Sequence, residues 1–302
     1  TQDITDLLLD RVIASSSGGT STIANIGEMS NQGIELLLTA NPVRNSNFNW
    51  DMSVAFNTFK NEVNGIGGGR GGIVLRGGGG TQSAIDGQGL GVFNGVYYAR
   101  NPDGTLLLSP IGLPQVERGS DATGVPARND QGQPTGDPIR KILGDPNPEW
   151  TGTFINEFRY KKLGFRFQFD AIYGFDVWNW NKITSNNVGN GPMAAQELRG
   201  ELPRGWVAAI GGFIGPRIQE EHVEDGSFIK LREIALTYDA GKVGAFKSLT
   251  FSLSGRNLLS FDEYSGYDPE TNSAGQNDKV RGDDFGNVPI PRTILFGINA
   301  SF

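Results

Sequence analysis

Apolar and polar residues alternate one for one through several separate stretches of this chain, most cleanly in the C-terminal segment Pro291–Phe302. Ile294, Phe296, Ile298, Ala300 and Phe302 fall on one face of an extended strand, and Thr293, Leu295, Gly297, Asn299 and Ser301 on the other. Successive side chains of a strand point to opposite faces, so the pattern is a ribbon with one apolar and one mostly polar side. A ribbon of this kind that ends on an aromatic residue predicts the closing strand of a transmembrane β-barrel.

The same alternation recurs upstream. Phe48, Trp50, Met52, Val54 and Phe56 oppose Asn49, Asp51, Ser53, Ala55 and Asn57. Phe165, Phe167, Phe169, Ala171, Tyr173 and Phe175 oppose Arg166, Gln168, Asp170, Gly174 and Asp176. Leu249, Phe251 and Leu253 oppose Thr250, Ser252 and Ser254, and Ile234, Leu236 and Tyr238 share a face within 228–239. Ile34, Leu36, Leu38 and Ala40 share a face with Leu37 as an exception, and Asn156 interrupts the row Trp150, Phe154, Phe158, Tyr160. A soluble two-sheet sandwich would give the same alternation, with its polar face in water. Aromatic placement separates the two. Trp150 and Tyr160 bracket one segment at about ten residues, close to the length a tilted strand needs to cross a bilayer, which is girdle spacing.

The connections alternate in length. Pro42–Asn47, Lys161–Gly164 and Ala240–Ser248 are short, whereas Asn61–Asn147, Ile183–Gly226 and Ser260–Ile290 are long. Loops beyond about 15 residues are uncommon in compact domains, and strict alternation with tight turns matches short periplasmic turns and long extracellular loops. Counting back from Phe302 predicts strands at 291–302, 248–258, 227–239, 165–180, 149–160, 48–60, 31–41 and Ile4–Ile13, about eight in all.

Composition changes this picture little. Apolar content is 37% and mean hydropathy −0.31, values that read as soluble but that a barrel shares, because lumen-facing polar residues dilute its apolar ones. No apolar run is long enough for a membrane-spanning helix. The 44 glycines suit an all-β chain rich in turns. With no cysteine there is no disulfide framework or thiolate metal site. A net charge of −7 disfavours nucleic acid as a partner. Thr1-Gln-Asp-Ile-Thr-Asp6 carries no export signal, which an envelope protein needs, so the chain is expected to be the C-terminal part of something longer.

Several stretches resemble the SusC/RagA family of TonB-linked outer-membrane transporters. They are Glu224-Asp-Gly-Ser-Phe-Ile-Lys-Leu-Arg-Glu-Ile-Ala-Leu-Thr-Tyr238, Ser254-Gly-Arg-Asn-Leu-Leu259, Tyr264-Ser-Gly-Tyr-Asp-Pro-Glu270 and the terminal Pro291–Phe302, with Asn25–Glu35 and Gly144–Trp150 upstream. The resemblance runs in order along essentially the whole chain. It implies an all-β fold, the last eight or so strands of a 22-stranded transmembrane antiparallel barrel, with residues 1–302 a single partial domain that holds no plug. It also implies a Bacteroidota-like cell outer membrane, import without catalysis, and no cofactor. The implied partners are a SusD-like surface lipoprotein, TonB–ExbB–ExbD acting through an N-terminal part, the barrel-assembly machinery and outer-membrane lipid. Gly297, Ala300 and Phe302 stand where the family's C-terminal assembly signal is expected.

Other chemistry is weakly signalled. Gly67–Gly72 satisfies G-x-G-x-x-G, but the glycine run through Gly80 cannot form the helix that a phosphate site needs, so a mobile glycine loop is expected. His222 is the sole histidine, so a His-based triad or zinc site would have to be built around it alone, and it reads as a solvated loop residue. Asp262, Glu263, Asp268, Glu270, Asp278, Asp283 and Asp284 share one long loop, without the rigid separation of a glycosidase pair or the spacing of a Ca²⁺ loop. Loop aromatics offer more. Phe93, Tyr97, Tyr98, Trp178, Trp180, Trp206, Tyr264 and Tyr267 lie toward the predicted extracellular side, and flat rings beside Asn, Asp and Arg suit sugars or peptides. Tyr97, Tyr98, Trp178, Trp180, Trp206, Tyr264, Tyr267 and Asp268 are therefore candidate substrate contacts. The alternatives place Trp178 and Trp180 in the outer girdle and Tyr264 in loop-on-loop packing. Asp51, Asn57, Arg166, Asp170 and Arg256 are expected to line the wet interior. The competing reading of the whole chain is a soluble all-β glycan-binding or glycoside-hydrolysing module.

Overall fold

A computed structural model describes residues 1–12, 16, 18, 19, 21–67, 69–75, 82–211, 218–275 and 280–302. Its main feature is an eight-stranded sheet whose spatial order is the chain order. The strands are Gln2–Thr5, Glu28–Arg44, Phe48–Asn64, Trp150–Tyr160, Leu163–Tyr173, Phe228–Val243, Phe246–Asp262 and Thr293–Ser301. Every neighbouring pair is antiparallel, so the sheet is an up-and-down meander. The tight turns all lie at one end. At the first, Asn45 Oδ1 accepts from the backbone N–H groups of Asn47 and Phe48. The two-residue turns at 161–162 and 244–245 each open on a left-handed residue, Lys161 (φ +52°) and Gly244 (φ +58°), as hairpin turns that follow the strand twist require.

Register lines the apolar residues up across the sheet. Phe158 sits opposite Phe165, and the row continues through Leu236, Leu253 and Phe296. Among the described residues no second sheet covers this row. Ile294, Phe296 and Ile298 are 75%, 67% and 60% exposed, and Ile34, Leu36 and Leu38 are exposed as well. Leaving a large apolar side chain in water forfeits about 1.5–3 kcal/mol, so a row this long calls for an apolar medium rather than water. Aromatic rings mark both rims of the face. Trp150 stacks on Tyr173 at 5.5 Å and lies 5.8 Å from Phe56 at the long-loop end. Tyr160 and Tyr238 lie at the turn end, where Phe158 stacks on Phe48 and Trp50. The 11 residues of Trp150–Tyr160, tilted by about 45°, span roughly the 25 Å apolar band of such proteins.

Asn156, which breaks the apolar pattern, has a local solution. Its side chain is 2% exposed and its Oδ1 accepts from the Trp50 indole N–H at 2.9 Å. Its Nδ2 has no partner. Met52 and Phe167 lie opposite it on the adjoining strands.

Two expected strands are corrected. The strand expected at Ile4–Ile13 is two: Gln2–Thr5 joins the sheet, while Leu8–Val12 pairs with Ser21–Asn25 in a separate hairpin. Asp6, at φ +59°, and Gly27, at φ +80°, stand at the break, and Ile13 lies outside the described residues. The strand expected at 165–180 leaves the sheet at Tyr173. After the left-handed Gly174, Asp176–Asn179 joins a small sheet with Val223–Asp225 and Asp283–Asp284. Phe175 accordingly packs with Val177, Phe228 and Tyr264 instead of lying on the outer apolar face.

The three long connections, 65–149, 174–227 and 263–292, fold together at the end opposite the turns. Backbone bonds join them: Asp176 N–H donates to Asp145 O at 2.7 Å, and Trp178 N–H to Gly282 O at 2.7 Å. Four small apolar clusters lie here, one built from Val96, Tyr98, Val116, Ile210 and Ile218 and another from Phe93, Trp178 and Ile183. The loops are a folded cap with its own cores. Within it Ala99-Arg-Asn and Ala127-Arg-Asn open two matching turns, in which Gly104 N–H donates to Asn101 O and Gly132 N–H to Asn129 O, each at 2.9 Å.

The Trp50–Asn156 bond yields a prediction for the full-length protein in detergent. Trp50→Phe should cost about 1–3 kcal/mol in urea unfolding, because the buried Asn156 oxygen loses its donor, and adding Asn156→Leu should recover most of that loss. A double variant as unstable as the single one would contradict this account of the pair.

Candidate functional site

The polar face of the sheet carries ion pairs and hydrogen bonds, some of which run on to the cap. Arg166 pairs with Glu233 at 2.6 Å, and Arg256 lies 3.9 Å from the same carboxylate. Gln168 donates to Asp170, which also accepts from Thr153 and pairs with Arg232 at 2.9 Å. A bulge between Leu231 and Glu233 lets Arg232 join this row. Asn57 donates to Thr151 at 3.4 Å, and Asn41 donates to Asp51. The expected interior residues Asp51, Asn57, Arg166, Asp170 and Arg256 thus share one polar surface.

Two basic residues of the strand Phe228–Val243 fasten the cap to this wall. Lys230 is 5% exposed and pairs with Asp268 at 2.5 Å and Glu270 at 2.9 Å. Its ammonium also lies 4.4 Å from the Phe228 ring centroid. Arg232 reaches Glu270 at 3.0 Å, so one carboxylate bridges two strand cations. Asp268 further accepts from the backbone N–H groups of Glu270 and Ile290. Removing one member of such a buried pair strands the other charge, a loss of about 3–5 kcal/mol.

The expected contact residues divide by burial. Trp178 is fully buried, edge-on to Trp180 and His222 at 5.8 Å each. Tyr98 and Tyr264 are buried too, donating to Glu221 Oε2 at 2.7 Å and Asp284 Oδ2 at 2.8 Å, and burial pushes both phenols well above their ordinary range. These three rings are buried and hold the cap together, Tyr264 by packing loop on loop. Trp178 is in a cap core and not in the girdle. Asp268, 7% exposed, is likewise a clamp. Partly accessible are Tyr97, over which Lys141 lies at 4.6 Å, Trp180 and Trp206. Tyr267 is 80% exposed. His222, expected in solvent, is 1% exposed beside Trp178. Of the glycine motif, Gly69–Gly71 forms a short 3₁₀ turn, while Gly68 and 76–80 lie outside the described residues, as does Asp278. Among the described residues no His, Cys, Asp and Glu group could hold a metal ion.

Tyr267 stands between two cavities. One, about 630 Å³, is lined by Lys230, Arg232, Asn257 and the 288–292 segment. The other, about 400 Å³, lies against the helix Trp180–Asn187. Sequence reasoning missed Lys230, Arg232 and Asn181 as site residues. The signal for the first two was a break in pattern: Lys230 and Arg232 share the parity of Ile234, Leu236 and Tyr238, so two cations would fall on the apolar face unless a bulge intervened, as one does between Leu231 and Glu233.

No protein-family model matches the chain. It is 30% identical to TonB-dependent receptor P3 and 31% identical to TonB-dependent receptor P26 of Formosa agariphila, each over 98% of this chain. The chain spans 31% of the length of these curated relatives. It is homologous to the TonB-dependent receptors. A solved chain of the RagAB peptide transporter superposes with a TM-score of 0.71 at 21% identity, over 99% of this chain and 32% of that one. The RagAB peptide importer in its open-open state gives the same score at 20% identity. These likenesses carry the fold. Sequence kinship to TonB-dependent receptors and an uncovered apolar face agree on one setting, the outer membrane.

In this receptor homologue two half-buried aspartates join two cap segments. Asp145 N–H donates to Asp176 Oδ2 at 2.8 Å. Burial, followed by the charges of Asp225 and Asp145, raises the Asp176 carboxyl to about 6 against the opposing effect of that hydrogen bond. Burial also raises Asp145. A carboxyl whose folded pKa lies above its unfolded value stabilises the fold fully below the ordinary carboxylate range, and that contribution is lost as pH rises through about 6. In the full-length protein the amides of Asp145 and Asp176, corrected for intrinsic exchange, should be better protected at about pH 5 than at about pH 7.5, and Asp176→Asn should remove the difference. Equal protection at both pH values would contradict the assignment.

Proposed function

We propose that this chain supplies the C-terminal wall and external cap of a SusC/RagA-type, TonB-dependent transporter that imports oligosaccharides or peptides across the outer membrane. The supporting observation is the two-sided sheet, whose uncovered apolar rows back onto an ion-paired polar wall that is roofed by a folded cap. An apolar outside and a polar inside are what a lipid-embedded, water-filled barrel requires. A soluble glycan-binding or glycoside-hydrolysing module would need those rows covered. The remaining length of the relatives would provide the other strands of a barrel of about 22, the plug, and the contact with TonB–ExbB–ExbD. The long loops, above all 61–147 and 260–290, would meet a SusD-like lipoprotein. Gly297, Ala300 and Phe302 would be read by the barrel-assembly machinery. Phe302 packs on Phe246 at 5.0 Å, and a Cβ on Gly297 would meet Ser252 Oγ at 2.5 Å, so close strand packing fits the small residue there.

Tyr97, Trp180, Trp206 and Tyr267, the expected contacts that keep some accessible surface, would touch cargo, and the transport step is binding and passage without bond-making. Fractionation of cells that express the full-length protein tests this reading. The protein should remain with the outer membrane, run as a heat-modifiable band, and support uptake of a labelled oligosaccharide or peptide that stops when TonB is deleted. Release into the aqueous fraction would end the reading.

A further inference from the structure

Charge is sorted between the two ends of the sheet. At the turn end, residues 42–49, 159–164 and 239–248 carry Arg44, Arg159, Lys161, Lys162, Lys242 and Lys247 against a single carboxylate, Asp239, in a chain whose net charge is −7. Arg159 pairs with Glu157 at 3.3 Å. The four lysines are exposed, and none of them has an ion-pair partner among the described residues. Asp239 is turned to its own chain, where it accepts from Gly241 N–H at 2.8 Å. At the long-loop end the sign is reversed. The open groove beside Trp150, Tyr173 and Phe261 holds Asp225, Asp262 and Glu263, and no Lys or Arg stands among its described lining residues.

The turns bring the lysines into one patch. Lys161 N–H donates to Asn47 O at 2.8 Å, which ties the second turn to the first. Lys162 Nζ donates to Ala240 O at 3.0 Å, and a Cβ on Gly241 would lie 3.8 Å from it, so the second turn also leans on the approach to the third. Lys161 Nζ lies 5.4 Å from the Tyr160 ring centroid. Lys247 shares the parity of Leu249, Phe251 and Leu253, which sets it at the edge of the apolar face. Beside these cations Tyr160, Tyr238 and Leu163 are exposed, with Leu163 opposite both tyrosines in the ladder. Neither phenol hydroxyl has a hydrogen-bond partner among the described residues. Cations, free phenol donors and apolar side chains therefore meet along one edge of the uncovered surface.

From this we infer that Lys161, Lys162, Lys242 and Lys247, with Tyr160 and Tyr238, form a headgroup site for anionic phospholipid of the periplasmic leaflet. The lipid phosphate lies among the ammonium groups and accepts from a phenol, while the acyl chains run along Leu163 and the apolar rows. Lysine stems lie along apolar surface and keep their charge in the wet headgroup layer, and tyrosines prefer that same layer. Each basic side chain near an anionic lipid surface changes affinity about fivefold. A phosphatidylcholine headgroup brings its own cation and gains little from four more. An acidic wall polymer would satisfy the lysines but leave Tyr160, Tyr238 and Leu163 uncovered, so the edge favours lipid. The inference rests on the reading of the sheet as a barrel wall with its tight turns toward the periplasm, and it adds a lipid class and a leaflet to that reading.

The test uses the full-length protein, free of other cysteines, with bimane attached at Leu163→Cys or, on the long-loop rim, at Ile229→Cys. In phosphatidylcholine bilayers, phosphatidylglycerol or phosphatidylcholine with brominated acyl chains is added in turn, and quenching reports which lipid neighbours the label. At Leu163 phosphatidylglycerol should be favoured at least roughly fivefold in about 0.1 M salt, and 1 M salt, with a Debye length of about 3 Å, should remove most of the preference. Changing the four lysines together to glutamine should bring the two lipids within about twofold of each other, with heat-modifiable mobility showing that the variant is folded. If that variant does not assemble, the salt dependence of the unmodified protein decides. At Ile229 the two lipids should quench alike. Equal quenching at Leu163, or a preference that survives lysine replacement or high salt, overturns the site. Lysine-dependent binding to purified cell-wall sacculi without a lipid preference assigns the patch to the wall polymer and overturns it too. A Leu163 label that neither brominated lipid quenches defeats the barrel reading itself, whereas quenching without preference defeats only the headgroup site.

Discussion

A peptide group in hydrocarbon has no water to bond to, and this constraint organises the whole molecule. It forces each strand to satisfy its backbone through neighbours, which an antiparallel meander does in every interior strand. It also requires the side chains on one face to be acceptable to lipid. Leu36, Leu253, Phe296 and Ile298 meet that demand by being apolar and uncovered. Asn156, an amide within the band, meets it in part: its Oδ1 accepts from the Trp50 indole N–H, while its Nδ2 is left without a partner. The opposite face is free to be charged, and it is.

That charged face links wall to cap. Lys230 and Arg232 leave the strand toward Asp268, Glu270 and Asp170, so the segment after Asp262 cannot lift away without exposing buried ions to one another's absence. The cap adds small apolar clusters around Trp178, Tyr98 and Phe175. Aromatic residues therefore have three separate duties here. Trp150, Tyr173 and Tyr160 mark the rims of the apolar band, Trp178, Tyr98 and Tyr264 bind loop to loop, and Tyr267 alone of the expected contacts stands almost fully free.

Strands with a period of two and lipid on one side were legible in the residues, because burial on a single face writes itself into strict alternation. The tight turns were legible for the same reason, as short gaps between alternating runs. What stayed hidden lies where that period ends. Phe175 continues the alternation of 165–173 in sequence, but Gly174 turns the chain out of the sheet, and no periodicity marks such a turn. Likewise Trp178, Tyr98 and His222 looked like loop residues, since a cap assembled from three distant segments leaves no local pattern. Asp268 was picked out for its chemistry, yet its partner Lys230 lies on another element, so only the fold could show that the pair is closed on itself.

The claim on which all this depends is that lipid touches the Phe, Ile and Leu side of the sheet. The chain has no cysteine, so single cysteines placed in turn at residues 164–169 of the full-length protein, in a background free of other cysteines, can carry nitroxide labels in reconstituted bilayers. Accessibility to oxygen, which partitions into lipid, should peak at Phe165, Phe167 and Phe169, and accessibility to a water-soluble nickel chelate at Gly164, Arg166 and Gln168. An accessibility pattern with no period of two, or with both quenchers favouring the same face, would contradict the account.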